Sequence, residues 1–150
     1  MMTDEEIRKL LSRPEIAPPC ARFLGLEVLD YSIDGGWAEL AFTPRAEMAN
    51  PAGVVQGGFV AAMLDDAMGL TATITTRFVS IVPTLQLSVT FLEPAPFERL
   101  LVCARVLRLS KSTAQLEASI RRLSGQVLAT ATASAVVRPL PDSLRAPPPA

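Results

Sequence analysis

The residues best suited to chemistry sit in two short stretches, Gln56-Gly57-Gly58 and Asp65-Asp66. The chain has no histidine. That removes Ser-His-Asp and Cys-His triads, histidine metal sites and every mechanism with an imidazole base. Catalysis has to run on carboxylates, amides, hydroxyls, lysines or backbone groups. A Gly-Gly pair leading into a helix leaves backbone N–H groups unpaired at the positive helix end, where they can point at a carbonyl oxygen, and the glycines let a ligand come close. Such pairs are also ordinary turn and cap devices, and a lone helix aspartate is more often a solvated side chain.

These residues must be held by something. From Gly57 to about Thr75, Phe59, Val60, Met63, Leu64, Ala67, Leu70 and Thr71 recur at helical spacing and form one apolar face. Ala61, Ala62, Asp65 and Gly69 lie opposite, small apart from one carboxylate. Asp65 falls two turns beyond Gly57 and about 80° around the axis, with Asp66 about 100° further. Upstream, Thr3 and Glu6 make a capping-box pattern before a short amphipathic helix carrying Ile7, Leu10 and Leu11, which Pro14, Pro18 and Pro19 end. Alternation over 24–33 and 37–42 around Asp34-Gly35-Gly36 predicts a β-hairpin. A loop follows from Pro44 to Gln56. Residues 84–92, 99–109, 113–122 and 126–137 read as a β meander, with Gly125 in the last turn. The sum is α+β: one long helix against one curved antiparallel sheet.

Composition narrows the function classes. The 150 residues fit one folded domain, with 49% hydrophobic and 19% charged content. Net charge is −1 and the 14 basic residues form no run, so nucleic acid is not expected as a partner. No apolar stretch is long enough to span a bilayer, since Asp65 and Asp66 break the best one. The acidic N-terminus is unlike a secretory signal, which predicts a cytoplasmic protein with no membrane association. Cys20 and Cys103 are expected as reduced thiols, and with Trp37 as packing residues. The expected organisation is an N-terminal helix and loop over 1–21, the main folded domain over 22–138 and a frayed proline-rich tail over 139–150.

The segment from Asn50 through Gln56-Gly57-Gly58 to Asp65 resembles the signature of the phenylacetate-degradation (PaaI-type) branch of hotdog-fold thioesterases. Pro83-Thr84 to Phe91-Leu92-Glu93-Pro94-Ala95 is similar to that family's strand ending in a Phe-Leu-x-Pro-Ala turn. The likeness covers roughly residues 22–137. It implies a hotdog fold, with the long helix wrapped by the curved sheet. It implies an acyl-CoA thioesterase for small to medium aliphatic or aryl acyl groups, with coenzyme A as part of the substrate and no cofactor or metal. Gln56 departs from the pattern, because the family usually has histidine there; an amide can donate a hydrogen bond but cannot titrate.

By the same resemblance the Gly57 N–H is the oxyanion donor, with Gln56 a second contact. Asp65 is general base or nucleophile, with Asp66 the alternative, and Asn50 and Thr84 position the water or the carboxylate. A partly desolvated carboxylate is expected, because an ordinary aspartate is a weak base near neutrality. Gly58, Phe59 and Met68 line the acyl side. Arg108, Lys111, Ser112 and Thr113 suit the pantetheine or nucleotide phosphates. A homodimer or a dimer of dimers is expected, as an open sheet edge tends to pair. Two other functions stay open: a non-catalytic acyl-CoA binding module, and a dehydratase or hydratase, which the lack of histidine disfavours.

Overall fold

The computed structural model describes residues 1–142. Helix α1 (Asp4–Leu11) opens on the expected capping box: Thr3 Oγ1 accepts from the Glu6 N–H, and the Glu6 carboxylate accepts from the Thr3 N–H. Its apolar side is anchored by the fully buried Ile7. The prolines that end α1 do not lead into plain loop. Pro19 starts a second short helix, α2 (Pro19–Leu24), as proline does well at a first helical position, where no N–H is needed. Gly25 ends it at φ 74°, and a Cβ there would meet the Thr43 carbonyl at 2.6 Å, so no side chain fits.

Strands β1 (Glu27–Ser32) and β2 (Trp37–Phe42) form the expected hairpin. Helix α3 (Gly57–Thr75) follows. After it come β3 (Ser80–Ile81), β4 (Thr84–Phe91), β5 (Leu100–Leu109), β6 (Thr113–Arg122), β7 (Val127–Val136) and β8 (Arg138–Pro139). Six strands make one antiparallel sheet in the order β1-β2-β5-β6-β7-β4, and β3 pairs with β8. The expected meander is correct for β5, β6 and β7 only. β4 crosses to the far edge and pairs with β7 rather than with β5.

The sheet curls around α3 because one face of every central strand is apolar. Val102 and Ala104, Leu116 and Ile120, and Leu128 are almost wholly buried. The inner face of β7 is a run of buried alanines, Ala129, Ala131, Ala133 and Ala135, and the helix packs mainly over β5 and β6. α3 answers with Val60, Met63, Leu64, Ala67, Met68, Thr71, Ala72 and Ile74. Phe59 and Leu70, expected in the same stripe, pack at its margin and are only partly buried. Thr71 is tolerated inside because its hydroxyl donates to the Ala67 carbonyl at 2.7 Å. Truncating Leu64 to alanine would cost about 2–5 kcal/mol.

Regular structure continues past the first of the tail prolines. Arg138–Pro139 pair with β3, and Leu140 is buried, its N–H donating to the Val79 carbonyl. Pro147, Pro148 and Pro149 lie outside the described residues. No described helix is long and apolar enough to cross a membrane.

Candidate active site

The loop before α3 is a built turn. Asn50 Oδ1 accepts from the N–H groups of Ala52 and Val54 at 2.9 and 3.3 Å, and its backbone N–H donates to the Val54 carbonyl. Gly53 takes φ 76° within it. The Asn50 oxygen is thus occupied by its own turn, and only the amide N–H remains to offer a ligand. Val55 and Gln56 are then pinned by backbone bonds to Ala95 and Met48.

Gln56 caps α3 with its own side chain, Oε1 accepting from the Gly58 N–H at 2.7 Å. The Phe59 and Val60 N–H groups both donate to the Gln56 carbonyl. Among the described residues nothing accepts from the Gly57 N–H, so it is the one open donor in the first turn. Each glycine makes room for a particular neighbour. A Cβ on Gly58 would fall 2.7 Å from Gln56 Oε1, and one on Gly57 would fall 3.3 Å from two atoms of the Phe91 ring.

Thr84 Oγ1 donates to Asp65 Oδ1 at 2.7 Å, linking β4 to α3. A register break makes this contact. Thr84 pairs with Ala135 and Gln86 with Ser134, so Leu85 is an extra residue in a β-bulge. Paired residues share a sheet face, and Ala135 is fully buried, so Thr84 faces the helix. Regular alternation would have put it on the outer face with Gln86 and Ser88. Among the described residues nothing bonds the second carboxylate oxygen of Asp65.

Asp66, one residue on, has a different environment. Burial first, and then the neighbouring Asp65 charge, push its carboxyl up to about 6. Its Oδ2 is buried without a hydrogen-bond partner. The desolvated carboxylate expected of a neutral-pH base is therefore found at Asp66.

The other expected residues are spread out. Phe59 is part-buried and packs against Phe23 with ring centroids 6.2 Å apart. Met68 is 1% exposed inside the core cluster and offers a ligand no open face in the single chain. Arg108, Lys111, Ser112 and Thr113 are exposed around the β5–β6 turn, and neither cation forms an ion pair among the described residues. Phe91, not expected in the site, lies against Gly57; only a strand phenylalanine beside a turn motif hinted at it. The described residues hold no cluster of ligands suited to a metal ion.

Two candidate half-sites result. One is the open Gly57 N–H with Gln56 and Phe91; the other is the Asp65–Thr84 pair. Asp65 lies eight residues after Gly57, about 12 Å along the axis at 1.5 Å per residue. A single carbonyl group cannot touch both within one chain.

The thioesterase superfamily profile matches residues 52–129, which include both half-sites. Among solved structures, the phenylacetic acid degradation-related protein of Ralstonia eutropha is 30% identical with a TM-score of 0.77, over 84% of this chain and 98% of that one. A thioesterase of Haemophilus influenzae shares the fold at 18% identity and a TM-score of 0.76, over 93% of both chains. So does a Streptococcus mutans protein bound to acetyl CoA, at 20% identity and a TM-score of 0.68, over 77% of this chain and 90% of that one. No curated protein sequence matches. The long helix in its curved sheet and the match across both half-sites agree: this chain belongs to the thioesterase superfamily, the hotdog-fold hydrolases of thioester bonds.

Proposed function

We propose that the chain hydrolyses small to medium aliphatic or aryl acyl-CoA thioesters in a site shared by two copies. What carries this reading is the arrangement along β4. Thr84 at its start bonds Asp65, and Phe91 at its end lies against Gly57. β4 is an edge strand with a free side, and edge strands pair readily. Antiparallel pairing with β4 of a second copy, about a two-fold axis near the middle of the strand, sets Thr84 of one copy opposite Phe91 of the other. The carboxylate of each chain then meets the open N–H of its neighbour. The acetyl CoA held by the Streptococcus mutans protein supports a coenzyme A thioester as ligand of this fold.

In this site the Gly57 N–H donates to the thioester oxygen, and the Gln56 amide supplies a second donor from its uncommitted NH2. A preorganised donor of this kind contributes about 10²–10³ in rate. Asp65, steadied by the Thr84 hydroxyl, takes a proton from water as the water oxygen attacks the carbonyl carbon. The tetrahedral intermediate collapses, the C–S bond breaks, and coenzyme A leaves as a thiolate that is then protonated. Direct attack by Asp65 through a mixed anhydride is the other form of the same assignment. Asn50 offers its amide N–H, Phe59 lines the acyl side, and Arg108, Lys111, Ser112 and Thr113 meet the phosphates. No metal or redox cofactor enters.

The test is release of free thiol from short, medium, long and aryl acyl-CoAs by the wild type and by Asp65→Asn and Asp66→Asn. Turnover that falls by at least ~100-fold in Asp65→Asn, the lower end of a general base's contribution, is the expected result. A comparable fall only in Asp66→Asn transfers the base to Asp66. Binding of acyl-CoA without any turnover makes the chain a binding module instead.

A further inference from the structure

Phe91 is out of place as a packing residue. It pairs with the buried Ala129 and so points to the helix side of the sheet, yet its side chain stays 54% exposed. On the same strand and face, Leu87 and Val89 pack against the core. The ring instead lies over the first residue of α3, where a Cβ on Gly57 would meet two of its atoms at 3.3 Å. Leu92, next in sequence, is equally exposed. Gly57, whose N–H has no acceptor among the described residues, thus has an apolar ring against its Cβ side, while the Gln56 carboxamide before it accepts from the next N–H, that of Gly58.

We propose that Phe91 selects the acyl group, its ring forming the wall against which the first carbons of the acyl chain lie while the carbonyl oxygen sits at Gly57. This rests on the acyl-CoA thioesterase reading above. Chemistry decides which half of the substrate the ring takes. The pantetheine arm carries amides that need hydrogen-bonding partners, and a phenyl ring beside a leucine offers none. The acyl chain needs only apolar surface. A ring that touches the donor residue itself also stands within a few ångströms of the reacting carbon, so its size limits bulk near the carbonyl. The thickness of this wall, more than the depth of any enclosed pocket, then sets how large an acyl group reaches the oxyanion donor.

The test compares Phe91→Ala, Phe91→Leu and Phe91→Trp with the wild type. The readings are kcat/KM over a series of linear, branched and aryl acyl-CoAs, and equilibrium binding of the matching non-hydrolysable thioethers. Each methylene in an apolar pocket discriminates by about 10–200-fold, so the ratio of bulky to small acyl substrates should rise by at least ~10-fold in Phe91→Ala. It should fall in Phe91→Trp, with Phe91→Leu between. The thioether affinities should follow the same order. Selectivity ratios that stay constant while every substrate changes in parallel overturn the assignment. Loss of the dimer on gel filtration with unchanged ratios does so too, and assigns the ring to subunit packing. If the wild type cleaves nothing, the thioesterase reading fails separately, and the thioether ratios still decide the role of Phe91. A wild type that neither cleaves nor binds acyl-CoA overturns both.

Discussion

Two adjacent aspartates with the same side chain have been given different environments, and that difference is measurable. Asp65 reaches a hydroxyl from β4, whereas Asp66 has a buried oxygen with no partner. Its carboxyl is raised from an ordinary 3.8 to about 6, by burial before the Asp65 charge. An acid whose folded value is raised helps the folded state fully below about 3.8 and loses that help as pH climbs through about 6. Stability should therefore fall between pH 4 and pH 7.5 by an Asp66 contribution of at most roughly 3 kcal/mol. Asp66→Asn should flatten this part of the profile, read as urea midpoints at half-unit steps of pH. An unchanged slope would mean that the carboxylate finds water in the folded chain. Apart from the family resemblance, which favours Asp65, only a 100° step around the helix separates the two residues in the sequence, because what buries Asp66 is tertiary packing.

At the scale of elements, the start of α3 allows a clean removal of the proposed oxyanion donor. Gly57 is the first helical residue, the position where proline fits best. Gln56 before it already has φ −63° and ψ 137°, the extended geometry that a following proline requires. Gly57→Pro should keep α3 and its cap while deleting one N–H, with only the half-exposed Phe91 ring needing to shift. We expect kcat to fall by about 10²–10³ with circular dichroism unchanged; near-normal turnover would remove the donor role from Gly57. Much of this element-level design was legible beforehand. The 3.6-residue spacing gave α3, the Asp34-Gly35-Gly36 turn gave the β1–β2 hairpin, and the strand lengths of β5 to β7 followed from local alternation. The rest depended on partners distant in sequence. That β4 lies beside β7 is a pairing choice, and the Leu85 bulge that turns Thr84 inward reverses what alternation predicts. The same holds for β3 with β8, two residues each, too short to leave any periodicity.

The whole molecule poses the question of how many chains make one site. The approximately 12 Å rise between Gly57 and Asp65 separates donor from base within one chain, and a two-fold pairing of β4 edges would rejoin them across two. In a two-fold assembly each site takes one half from each copy. A dimer formed from one Asp65→Asn chain and one Gly57→Pro chain then has one doubly damaged site and one site with neither change. Mixing the two inactive proteins, after mild denaturation and refolding together, should restore roughly a quarter of wild-type activity, since half of randomly assembled dimers are mixed and each has one intact site of two. Each variant refolded alone should remain inactive. If the site lay within a single chain, every chain in the mixture would still carry one lesion, and no activity would return. Restored turnover would also tie assembly to function: dilution that separates the chains should abolish activity without unfolding them. The exposed edge of β4 is then a surface kept open for a second copy rather than a defect of the sheet.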